Sequence, residues 1–253
     1  MTTSLSRREL RKAQFHHYGP WILGGGALLA GIGYEAARRH VVDRFDLVFF
    51  LVLLPTIILH EISHGVVAYW CGDDTAKRAG RLSLNPLRHI DPVGSVLVPI
   101  LLIATTGSAF GWAKPVPVSV NNLRHPRNQA VLVSLAGPFV NVVIALVAGF
   151  AFRLVAGGVF LPYNLNAWPI GYLVLFLLGE VNVIIAVFNL IPIPPLDGSA
   201  VLERFMPTDW LPGYYRLRRL SMILVLVLVF LAPGVLDALF NHALSYWGDI
   251  VGI

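Results

Sequence analysis

Long apolar runs separated by short polar connections make up almost the whole chain, and six of them stand out: Trp21–Tyr34, Leu47–Gly72, Pro92–Ala113, Asn128–Phe152, Trp168–Ile191 and Leu220–Phe240. Each approaches or exceeds the roughly 20 helical residues that cross a bilayer. The pattern predicts an all-α polytopic membrane protein with five to six membrane helices. The first run follows Arg7, Arg8, Arg11 and Lys12 and leads into Glu35, Arg38 and Arg39 without a convincing small-x-small cleavage site. It therefore reads as a retained anchor helix over about residues 20–37 rather than a cleaved signal. The second and fifth runs each carry one acid, Glu61 and Glu180.

Composition agrees. Of 253 residues, 56% are hydrophobic and 13% charged, whereas a soluble domain carries about a quarter charged residues. Too little polar surface remains to cover a water-soluble globule, and a disordered chain or a disulfide scaffold is excluded. The net charge of +5 does not indicate nucleic acid. The basic residues sit in clusters between apolar runs, as topology signals and contacts to anionic lipid do. A single cysteine, Cys71, rules out an intramolecular disulfide. With no repeat and no polar stretch long enough for a soluble module, the chain reads as one membrane-embedded domain over 1–253. Its core spans about 45–205, and a C-terminal helix spans about 220–242.

The strongest chemical signal is His60-Glu61-Ile62-Ser63-His64 in the second run. On a helix, positions i and i+4 share a face, so the two imidazoles can reach one metal ion. Glu61 stands beside that face, where it can take a proton from a metal-activated water. Ionisable groups inside a membrane helix are costly and call for a compensating role.

Catalytic zinc takes three protein ligands and a water. Cys71 lies about 10 Å further along the helix than His64, too far to share the ion, and is assigned to packing. Asp197 and Glu180 are the other acids at membrane depth. Asp197 ends Asn189-Leu190-Ile191-Pro192-Ile193-Pro194-Pro195-Leu196-Asp197, where three prolines must open the helix. Irregular backbone at that depth is tolerated where it lines a cavity or is buried in protein. Asp197 is the preferred third ligand and Glu180 the weaker candidate.

These motifs resemble a known family. HEISH in one run, Ala136-Gly137-Pro138-Phe139-Val140-Asn141 in another and FNLIPIPPLDG at 188–198 are similar, in this order, to the site-2 proteases, which are intramembrane zinc metalloproteases. Asn85-Pro86, His89-Ile90-Asp91-Pro92 and Gly111-Trp112-Ala113-Lys114-Pro115-Val116-Pro117-Val118 resemble the compact members that lack PDZ and cystathionine-synthase-like modules. The resemblance implies that His60, His64 and Asp197 bind Zn2+ and that Glu61 is the general base. It further implies that Asn189, with Asn141 as a second candidate, holds substrate or the oxyanion. The implied partner is a transmembrane-protein substrate, such as an anti-sigma factor or another single-span protein, among membrane lipids.

The depth of the ligands constrains topology. His64 lies about 10 Å inside the terminal edge of the second run, and Asp197 lies just past the fifth. Both ends must face one side, so an even number of crossings separates them. The third run, broken by Pro99 and polar at Thr105-Thr106-Gly107-Ser108, is the one expected to re-enter rather than cross. Loop charge agrees: with a cytoplasmic N-terminus, fifteen of the Lys and Arg residues fall inside and four (Arg38, Arg39, Arg44 and Arg153) outside, as the positive-inside rule requires. The active site then faces the cytoplasm of the cell membrane.

Val116–Val120 is expected to form a short β-like loop offering an edge to an unwound substrate. The competing reading is a rigid interfacial loop anchored by Trp112. Two rival functions remain: a zinc or cation transporter, which also places His and carboxylates in spans, and an inactive homologue that binds membrane proteins.

Overall fold

The computed structural model describes residues 44–97, 113–157, 159, 161, 162, 164–218 and 220–252. The expected anchor at 20–37 and most of the third apolar run lie outside these residues. The chain divides into two compact units, one of residues 43–89 with 115–253, the other of 1–42 with 90–114. The described part of the second unit is short. Asp91 Oδ1 accepts from the backbone N–H of Val93 (3.0 Å) and Gly94 (2.7 Å), opening one wide helical turn over Pro92–Leu97.

The larger unit is helical: α1 (Arg44–Trp70), α2 (Thr75–Arg78), α3 (Pro126–Ala156), α4 (Ile170–Leu190), α5 (Gly198–Phe205), α6 (Leu211–Arg218), α7 (Ser221–Leu231) and α8 (Pro233–Val251). Among the described residues α1, α3 and α4 are long and apolar enough to cross a membrane, and α7 with α8 makes a fourth if the bent pair counts as one span. This is fewer than the five to six expected, because two of the six runs fall largely outside the described residues and a third is broken. Large apolar side chains face outward along α1 (Leu47, Phe50, Leu51, Leu54) and α3 (Phe139, Val143, Val147, Leu154). A soluble protein seldom exposes so continuous an apolar surface; a membrane protein must.

The sixth run does not form the single helix expected over 220–242. It ends at Leu231, turns by 81°, and restarts on Pro233 as a helix reaching Val251. Pro233 has no N–H to continue α7 and disfavours helical backbone at the residue before it; Ala232 sits at φ −130°, ψ 44°.

The helices α1, α3 and α4 pack on one another, and α8 packs on α3 and α4. Val48 and Val52 of α1 interlock with Leu173, Leu177 and Val181 of α4. Trp247 of α8 fits against two glycines: a Cβ on Gly149 would lie 2.9 Å from its Cζ2, and one on Gly179 would collide with the same atom. Its indole N–H donates to the Ala145 carbonyl at 3.0 Å. Cys71 is buried with Ala68, Leu123 and Val133, as its assignment to packing requires.

The described residues contain no strand, so the expected β-like loop is absent. Pro115 and Pro117 have no N–H to offer a ladder, and neighbouring donors are taken by carboxylates. The Val116 N–H donates to Glu61 Oε2 at 2.8 Å and the Ser119 N–H to Asp73 Oδ2 at 2.6 Å. Asp73, with 0% of its surface exposed, also accepts from the Thr75 N–H at 3.0 Å, the Thr75 hydroxyl and Asn122 Nδ2 at 3.0 Å. With the Arg124 N–H on the Cys71 carbonyl (3.0 Å), these bonds fix residues 116–124 beside the C-terminal end of α1.

Burial pushes the Asp73 carboxyl up, but its hydrogen bonds from Thr75, Asn122 and Ser119 outweigh that and hold it below the ordinary carboxylate range. A depressed folded value contributes stability above the unfolded pKa of about 3.9, and that contribution is lost as pH falls through the folded value. Thermal unfolding in detergent should therefore show an acid limb below about pH 4, and Asp73→Asn should flatten it. An unchanged limb would show that Asp73 does not latch this segment.

Candidate metal centre

The centre begins with helix periodicity. His60 and His64 stand one turn apart on α1, their rings edge to face with centroids 4.7 Å apart, and both are buried. Asp197 arrives from another direction. After α4 the chain makes tight turns in which Ile193 N–H bonds to Ile191 O and Leu196 N–H to Ile193 O. Gly198 follows because nothing larger fits: its Cβ would collide with the Leu190 carbonyl oxygen and lie 2.8 Å from that of Ile191. This fold-back puts Asp197 Oδ2 3.1 Å from His60 Nε2 and 3.4 Å from His64 Nε2. The two Nε2 atoms are 3.1 Å apart.

The protonation of these atoms follows from what lies behind them. His64 Nδ1 faces the Val133 carbonyl of α3 at 2.7 Å, an atom that only accepts, so Nδ1 carries the proton. His60 Nδ1 faces Asn141 Oδ1 at 2.5 Å and is a donor likewise. Neutral imidazoles protonated at Nδ1 present lone pairs at Nε2. In their neutral forms the two imidazoles thus turn nitrogen lone pairs towards the buried Asp197 Oδ2, which has no other hydrogen-bond donor. Ligand atoms of all three residues lie within 4.8 Å of one another. Three acceptors so placed repel unless a cation joins them, and two imidazoles with one carboxylate form a zinc donor set that leaves a fourth position open. The residues fit the metal.

Gly137 of α3 supplies the room. A Cβ there would lie 2.5 Å from both His60 Nε2 and His64 Nε2, within the space the ligand atoms share. Gly137→Ala should therefore cost zinc binding by filling that space, with helicity retained. Metal analysis of the purified variant beside its circular dichroism spectrum checks this, and full zinc occupancy would contradict it.

Among the other expected site residues, Glu61 lies next to His60, with its Oε2 held by the Val116 N–H. Glu180, the weaker ligand candidate, is away from the centre. It lines a cavity of about 550 Å³ with Phe152, Arg153, Trp168, Phe176 and Trp247. Asn189, on the last turn of α4, donates to the Ile185 carbonyl of its own helix at 3.0 Å. Asn141, expected to face substrate, is 0% exposed. Its oxygen holds His60 and its Nδ2 donates to Asn182 Oδ1 at 2.6 Å. Asn182 and Thr56, whose side chains bond at 3.0 Å, had no motif to mark them; the signal lay in a polar Asn within an apolar span and in Thr56 standing one turn before His60. His89, in the connection after α2, bonds to the Ser83 carbonyl at 2.8 Å, an ordinary loop contact.

An HExxH helix completed by an aspartate from the turns that follow α4, among helices long and apolar enough to cross a membrane, defines a protein of the zinc metalloprotease class. Comparison with known proteins agrees. The chain is 37% identical to "Putative zinc metalloprotease YwhC" of Bacillus subtilis over 183 residues, 66% of this chain and 75% of that one. It is 32% identical to the similarly named Rip2 of Mycobacterium tuberculosis over 210 residues, 81% of this chain and 76% of the relative. It is also 25% identical to "Zinc metalloprotease MJ0392" of Methanocaldococcus jannaschii over 177 residues, 70% of this chain and 39% of the relative. No family model and no solved structure matches. The chain belongs to the site-2 protease family of zinc metalloproteases.

Proposed function

We propose that this protein is an intramembrane endopeptidase that hydrolyses peptide bonds in or near the transmembrane segments of single-span membrane proteins. The observation that carries this reading is the convergence of His60, His64 and Asp197 beside Glu61 on helices whose outer faces are apolar. Such a centre meets its substrate where a membrane helix is. The carboxylate of Glu61 accepts the proton of the attacking water and passes it to the leaving amine as the C–N bond breaks. The Val116 N–H on Oε2 fixes the carboxylate's orientation and leaves its second oxygen for that transfer. Zinc, when bound, supplies Lewis acidity that brings the pKa of water to about 7 and stabilises negative charge on the substrate carbonyl. Asn189, beside the Asp197 turn, offers its amide to the substrate backbone. A helical substrate must unwind first, since its carbonyls are bonded and its backbone enclosed.

The active site faces the cytoplasm. Residues 119–124 lie with 71–75 at one end of α1, which supports the view that the intervening apolar run enters and leaves on one side. Fifteen of the cations then fall inside. Single cysteines at Ser119 and Asn164 in a Cys71→Ala background test this: an impermeant thiol reagent applied to intact cells should label position 164 and spare 119. Labelling at both positions would mean that the third run crosses, and labelling at 119 alone would reverse the orientation.

Reconstitution with single-span proteins tests the function itself. Cleavage inside the span, abolished by a chelator and restored by zinc, is expected. Zinc flux through the same vesicles without cleavage would instead make the protein a transporter.

A further inference from the structure

Behind the metal centre, a chain of buried polar groups crosses three helices. Thr56 and His60 lie on α1, Asn141 on α3 and Asn182 on α4; Asn141 and Asn182 are 0% exposed and Thr56 1%. Asn182 Nδ2 donates to Thr56 Oγ1 at 3.0 Å and to the Leu178 carbonyl at 2.7 Å. Asn182 Oδ1 accepts from Asn141 Nδ2 at 2.6 Å, and Asn141 Oδ1 meets His60 Nδ1 at 2.5 Å.

The direction of this chain is fixed at its far end. A backbone carbonyl cannot donate, so the side-chain atom of Asn182 facing Leu178 must be the NH2 group. Its oxygen then points to Asn141, which must present its own NH2 group in return, leaving the Asn141 oxygen towards His60. Rotating either amide would set oxygen against oxygen and leave buried groups unpaired, at a cost of about 1–3 kcal/mol each. An oxygen facing Nδ1 admits only the tautomer that is protonated there and leaves the lone pair at Nε2, which points at Asp197.

We infer that Asn182 and Thr56, which touch neither metal nor substrate, are positioning residues that set the tautomer and ring orientation of His60 through Asn141, and thereby govern how tightly this site holds its metal. The inference rests on the zinc-site reading above. Asn182 and Asn141 each hold the next side chain towards His60, as groups behind metal-bound histidines do. In the low dielectric of a helix interface such a chain stiffens as a unit. The alternative is that the four side chains only tie three helices together. That alternative predicts lost stability with an unaltered metal site.

The experiment separates the two. Wild type, Asn182→Leu, Thr56→Val and Thr56→Ser are purified in detergent, and zinc release to a chromophoric chelator is followed beside the visible spectrum of the cobalt-substituted proteins. Asn182→Leu and Thr56→Val should release zinc about 10–100-fold more readily and shift the cobalt bands, while Thr56→Ser, which keeps the hydroxyl, should behave as wild type. Leu177→Ala, a core change on the same helix, controls for stability: it should lower the unfolding temperature with release and spectrum unchanged. Variants of Asn182 and Thr56 that match Leu177→Ala in both readouts would overturn the inference. If wild type itself bound neither zinc nor cobalt, the zinc-site reading would fall and the relay with it. Normal metal in wild type and in Asn182→Leu would remove the relay alone.

Discussion

Glu61→Gln should leave zinc content intact and lower proteolysis by about 10²–10⁴-fold, the usual worth of a positioned general base. The substitution is close to isosteric. A glutamine oxygen can still accept the Val116 N–H that Glu61 Oε2 accepts at 2.8 Å, so the loop should stay docked. Only the ability to take a proton at neutral pH is lost. The measurement is cleavage of a single-span substrate in proteoliposomes, with metal determined on the same preparation. Undiminished cleavage would remove Glu61 from the chemistry. Loss of zinc in step with activity would mean that the variant had disturbed the ligands instead.

The second large effect is on the metal. His60→Ala, His64→Ala and Asp197→Ala each delete one of three converging ligand atoms and should weaken zinc by more than the roughly 100-fold that losing an outer hydrogen bond can cost. Glu180→Ala should leave it unchanged, because Glu180 lines the cavity beside Trp247 and Arg153. Zinc retained in Asp197→Ala but lost in Glu180→Ala would exchange the two acids. Equilibrium dialysis on the four variants decides.

Residues fixed by spacing on one helix were legible in the sequence. His60 and His64 needed only the 3.6-residue turn, and Asp197 needed only prolines that open a helix at depth. What depends on how neighbouring helices are rotated was not. Asn141 reads equally well as facing substrate or facing another helix until the rotation of α3 is known. Its structure-given partner, Asn182, sits among apolar neighbours that point nowhere in particular. Gly137 passed as part of a motif, although its missing side chain is what admits the two imidazoles. The break before Pro233 was visible as Ala232-Pro233-Gly234, but hydropathy stays high across it, and apolarity does not report a bend of 81°. The β-like loop expected near Val116 formed no strand for a local reason: alternation suggested an edge, but Pro115 and Pro117 lack an N–H and carboxylates hold those of Val116 and Ser119.

The donor set also settles a matter of charge balance. Imidazoles that give their Nε2 lone pairs to a metal are neutral, while the carboxylates of Asp197 and Glu61 bring one negative charge each. A divalent ion makes the cluster electrically neutral as a whole. Taking an ion out of water costs several kcal/mol even after relaxation, so a residual charge on these largely buried groups would be more expensive than at an aqueous enzyme's surface. A monovalent cation would leave the cluster one charge negative and a trivalent one would leave it one charge positive. Charge balance at His60, His64, Asp197 and Glu61 therefore favours a divalent ion before ligand preference chooses among the divalent ones.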